Sequence, residues 1–115
     1  MEAVTTKSPE KTISHGIVAV YKEYLGRGPE WAQTTISETM CVTTLTGSLT
    51  KAETSLVANG EVATVRETRR KFQFVMRAAI TTLIEEETGR ECTCFLSDHD
   101  PVTDTAVEML VFKKA

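Results

Sequence analysis

From Glu61 to Thr88 the chain contains no glycine or proline, and Val62, Val65, Phe72, Met76, Ala79, Ile80 and Leu83 recur at the three-to-four residue period of one helical face. One helix over about 61–88 follows. At about 1.5 Å per residue it is roughly 40 Å long, more than the diameter of about 34 Å expected for a globule of this chain length. Such a helix must bend, fray or find a partner. Its charges are also polarised: Arg66, Arg69, Arg70, Lys71 and Arg77 fill the first half, whereas Glu85, Glu86 and Glu87 fill the end. That order opposes the helix dipole, which favours acids early and bases late. Two copies crossing antiparallel about a two-fold axis would set each basic half against the other's acidic end. A homodimer is therefore expected.

The remaining elements are read around this helix. Ser8-Pro9 opens a first helix with Ile13, Ile17, Val20 or Tyr21, and Tyr24 on its apolar side, and Gly26 stops it. Thr- and Val-rich stretches at about 32–36 and 40–46 read as strands. Thr50-Lys51-Ala52-Glu53 has the spacing of a capping box, so a short helix starts there and ends at Asn59-Gly60. Two further strands, about 91–97 and 105–113, flank a turn at Asp98-His99-Asp100-Pro101. The order α-β-β-α-α-β-β predicts an α+β fold, a four-stranded mainly antiparallel sheet packed with helices. The strands carry apolar residues on both faces, so both faces need cover. One domain over 1–115 is expected, with about 1–8 as a flexible N-terminus.

Candidate chemistry is sparse. In Gly26-Arg27-Gly28-Pro29, the Arg27 guanidinium and the loop amides could hold an anion, yet a helix C-terminus repels one and the loop matches no phosphate-binding motif. Arg66, Arg69 and Arg70 could engage phosphate-rich partners, although no exposed aromatic residue interleaves with them. The alternative is a solvated or dimer-pairing face. Arg69 differs from its neighbours, because it stands on the apolar stripe and a buried guanidinium needs a carboxylate. Asp98, His99, Asp100 and Asp104 have ligand chemistry, but their spacing matches no calcium loop or zinc motif, and Asp-x-Asp-Pro is what a turn requires. Asp98 and Asp104 are kept as candidate binding residues, with no metal and no cofactor expected. His15 has no nucleophile pattern around it and reads as a surface residue. No Ser, Cys or Lys stands in a nucleophile motif.

Composition bears on partners and compartment. The net charge of -3 argues against general nucleic-acid affinity while leaving a local basic face. No apolar run reaches the roughly 20 residues that span a bilayer, and Met1 to Lys11 lacks the order of a secretory signal. A cytoplasmic protein is expected. Cys41, Cys92 and Cys94 fit reduced thiols, with Cys92 and Cys94 expected on one strand face as small buried residues.

Several blocks together resemble the MpsC family, small bacterial proteins named for a Na+-translocating membrane-potential-generating system. They are Val20 to Tyr24 with Gly26 to Pro29, Leu49 to Glu53, Arg69-Arg70 with Phe72, Thr88-Gly89-Arg90, and Ser97-Asp98 followed by Asp104 to Glu108. Where this chain has Met109 and Leu110, the family often carries an aromatic residue or valine. The resemblance covers nearly the whole chain and implies an accessory to an integral membrane partner, since this chain has no span of its own. The expected function is a non-enzymatic binding or regulatory homodimer. The alternative is a domain that binds nucleic acid or an anionic ligand through the basic half of the long helix.

Overall fold

The structure, a computed structural model, describes residues 8–114. The expected flexible segment at about 1–8 lies, apart from Ser8, outside the described residues. The order is α1 (Pro9–Leu25), β1 (Trp31–Ile36), β2 (Met40–Thr46), α2 (Lys51–Ala58), α3 (Val62–Thr88), β3 (Cys92–Asp100) and β4 (Thr105–Phe112). The α+β class, the element order and the long helix are as the sequence indicates.

The helix ends follow from their residues. Ser8 Oγ accepts the Lys11 amide, with Pro9 in the first turn, and Gly26 closes α1 at φ 80°. At α2, Thr50 Oγ1 accepts the Glu53 amide (3.2 Å) and Glu53 Oε1 accepts the Thr50 amide (2.9 Å). Thr50→Ala removes half of this reciprocal cap, and urea unfolding should show a loss of about 1 kcal/mol. Gly89, at φ 67°, ends α3.

All strand pairs are antiparallel, in the order β1-β2-β4-β3. Helices α1 and α3 pack on one face of the sheet and on each other. Gly16 lies at their contact, where an added Cβ would meet Leu83 Cδ2 at 2.5 Å and oblige that side chain to turn aside. The core lies between, built from Ile13, Ile17 and Tyr21 of α1, Met76, Ile80 and Ile84 of α3, and Cys41, Leu45, Ala106, Leu110 and Phe112 of the sheet. No described element covers the other face, where Val42, Val107, Met109 and Val111 are half-buried. The molecule measures 51 × 36 × 20 Å. Its thinnest dimension suits two layers, and its longest accommodates the helix of roughly 40 Å that a sphere would not.

Two expectations are corrected. The β3–β4 turn begins later than Asp98, because Asp98↔Val107, His99↔Ala106 and Asp100↔Thr105 continue the ladder and the turn occupies 101–104. Cys92 and Cys94 lie on opposite faces, because the register shifts between them: Cys92 pairs with buried Phe112, and Cys94 pairs with Val111 and is exposed. An extra residue at Thr93 reverses the alternation.

Candidate functional site

On the covered face the strand register sets side chains in rows. One row, Ala32–Leu45–Ala106, is apolar until it meets His99, and another, Ile36–Cys41–Leu110–Phe95, is apolar throughout. Between them lies Thr34–Thr43–Glu108–Ser97, a polar row across all four strands. Ser14 of α1 and Gln73 of α3 are buried above this face.

Buried polar groups need partners, and the row supplies most of them. Ser14 Oγ, Thr34 Oγ1 and Thr43 Oγ1 form a chain with both links at 2.8 Å. The Tyr21 hydroxyl donates to Glu108 Oε2. Glu108 is fully buried, and among the described residues its Oε1 and the facing Ser97 Oγ lack a well-formed hydrogen bond. Burial pushes the Glu108 carboxyl up to about 7, against the lowering pull of the Ser97 and Tyr21 hydroxyls. Burial, with the Glu108 charge beside it, also drives the Tyr21 phenol upward. The row therefore holds one carboxyl that gains or loses a proton near neutrality.

A second cluster ties α2, α3 and the β3–β4 turn together. Arg69 is 2% exposed. Its Nε and Nη2 donate to Glu53 Oε2 (2.7 Å) and Oε1 (2.8 Å), while Nη1 and Nη2 donate to Ser48 Oγ (3.0 Å) and Ser48 O (2.7 Å). Partial burial acts to raise the Glu53 carboxyl, but the Arg69 and Thr50 donors hold it below the usual carboxylate range. Asp104, at φ 51°, takes the left-handed turn conformation that Asp tolerates. Its carboxylate accepts the Ser48 amide (3.1 Å) and the Leu49 amide (3.0 Å) and meets His99 Nε2 at 3.0 Å. Nε2 donates to this carboxylate, which can only accept, and burial lowers the His99 pKa. Among the described residues its Nδ1 has no partner.

The sequence candidates thus part company. Arg69 and Asp104 come together around Ser48. Asp98 and Arg66 line another hollow with Asp100, whose Oδ1 lies 3.4 Å from Arg66 Nη2. Arg70 lines a groove between α3 and β3 with Gln73, Arg77, Leu96 and an exposed Phe74, which corrects the expectation that no exposed aromatic residue stands beside the basic cluster. Arg27 stands apart, paired with Glu30 at 2.8 Å on the surface. His15 is exposed on α1, where it lines a hollow with β1.

Sequence reasoning missed Tyr21, Glu108, Ser48 and Ser97. Glu108 had a usable signal: in β4 it alternates in step with Ala106, Leu110 and Phe112, which places it on the buried face. The pairing with Tyr21 spans 87 positions and leaves no local trace.

Comparison with known proteins adds one finding. A family model described as the Na+-translocating membrane potential-generating system (MpsC) matches residues 5–114. No curated protein and no solved structure matches the chain.

Proposed function

The chain belongs to the MpsC family, and from that premise we propose a non-enzymatic binding subunit, a cytoplasmic homodimer that is accessory to a membrane-potential-generating or ion-transport system. No helix among the described residues is long and apolar enough to cross a membrane, which fits an accessory to an integral membrane partner. The observation that carries the binding role is apolar surface left open by a two-layer fold. Phe74 is 73% exposed and Leu96 53% exposed, and the second sheet face has no described cover. Contiguous exposed apolar surface marks interaction sites. The buried polar clusters hold the fold together: Arg69 and Asp104 direct their bonds to the Ser48–Glu53 segment.

Light scattering on the full chain at tens of micromolar should give twice the 12.7 kDa chain mass. A mass of one chain overturns the homodimer. For the accessory role, the tagged chain should retain an integral membrane protein in stoichiometric amount from detergent-solubilised membranes; failure to retain one overturns it.

A second reading is favoured by one observation, the nearness of Arg70 and Arg77 to Gln73 and Phe74 in the α3–β3 groove. These groups would suit an anionic ligand. Polyanion binding that falls steeply with salt and is weakened by Arg70→Glu would support that reading over the first.

A further inference from the structure

We infer, building on the homodimer reading, that the second copy docks along the edge formed by α3 and β3, with the two α3 helices antiparallel about a two-fold axis perpendicular to the sheet. Strand β3 is an edge strand, paired among the described residues only with β4. An open edge is a template for another chain. Two helices here cover four strands, and strands spaced about 4.8 Å make two strand widths equal the 8–10 Å at which helices pack. Antiparallel continuation of the sheet through β3 therefore places the partner's α3 one helix spacing from this one.

The outward stripe of α3 is self-complementary in that arrangement. Phe74 projects from it, and a dip floored by Ala78, Thr81 and Thr82 lies one to two turns further on. With the axis at the level between Phe74 and Thr81, each Phe74 reaches the other copy's dip. The same register brings Arg70 of one copy to the level of Glu85 of the other and Arg66 to within a turn of Glu86 and Glu87, twice over by symmetry. This accounts for a helix whose charges oppose its own dipole.

Light scattering and sedimentation across a concentration series test the surface. Phe74→Asp at this exposed position should keep the native circular dichroism spectrum while weakening dimerisation about a thousand-fold, since a central aromatic anchor is worth roughly 30-fold and symmetry counts it twice. Two charge variants give a second test that leaves Phe74 intact. Arg66→Glu/Arg70→Glu and Glu86→Lys/Glu87→Lys should each dimerise more weakly alone and recover a dimer when mixed, an effect that fades in high salt. A wild-type monomer overturns this inference together with the homodimer reading. A dimer that withstands Phe74→Asp and shows no preference for the mixed charge pair overturns this inference alone and moves the contact elsewhere, with the uncovered sheet face as the next surface.

Discussion

Arg69→Met should lower the unfolding free energy by about 3–5 kcal/mol, the cost of removing one partner from a buried ion pair. The size follows from what remains. Glu53 keeps its charge with a side chain only 13% exposed, and the Ser48 carbonyl loses its 2.7 Å donor. A chain of this size loses about 4 °C of midpoint per kcal/mol, so thermal unfolding should fall by roughly 12 °C or more. The adjacent Arg70→Met, at an exposed position, should stay within about 0.5 kcal/mol. Adding Glu53→Gln to Arg69→Met should restore part of the loss, because the stranded charge is gone. A cost for Arg69→Met below about 1 kcal/mol would show that this pair does not fasten α2 to α3.

The second large effect concerns Glu108 and depends on pH. Its carboxyl rises from 4.5 to about 7 in the fold. Between those values the folded chain binds a proton that the unfolded chain has released, so stability falls as pH rises. The contribution is fully present below the unfolded value and lost as pH passes the folded one. Glu108→Gln keeps the shape without the titration. The stability of the wild type minus that of the variant should therefore drop by about 3 kcal/mol from pH 4.5 to above pH 7, at about 1.4 kcal/mol per pH unit. The variant should be the more stable chain at pH 8. The difference is the quantity to measure, because His99, depressed by burial, pulls the other way as pH falls below its ordinary 6.5. Glu53 and Asp104, both held low, act in the same sense as His99 but at more acidic pH. Urea unfolding from pH 4.5 to 8 decides it, and a flat difference rules out Glu108 as the titrating group.

Much of the fold was legible because its signals are local. Ser8-Pro9, Thr50 with Glu53, Asn59-Gly60 and Gly89 punctuate the chain within a few residues of the boundaries they set. The unbroken run before Thr88 fixed α3 to within a residue. The turn at Asp98 misled because Asp, His and Pro suit a turn, while the ladder to Val107, Ala106 and Thr105 that holds them in β3 is tertiary. The bulge beside Thr93 left no compositional mark. Of the candidate site, the need of Arg69 for a carboxylate was readable from its place on the apolar stripe. Its partner, Glu53, reads in sequence as half of a capping box, and it serves both roles. Tyr21 with Glu108, and Asp104 with Ser48, join segments far apart in sequence, beyond the reach of pattern or propensity.

The strand order β1-β2-β4-β3 carries a consequence for how the chain finds this fold. Each hairpin closes locally, but β2 meets β4 between residues about 60 positions apart, which costs more loop entropy and belongs late in folding. Until then the chain is an α-β-β half and an α-α-β-β half, each with an unpaired inner strand edge. Either half could complete its sheet with the other half of a neighbouring chain, so crowded refolding invites domain swapping. The polar residues along that late seam, Thr43 beside Glu108, then bear on which halves join, because a slip of one residue would turn Glu108 out to solvent and expose the mismatch.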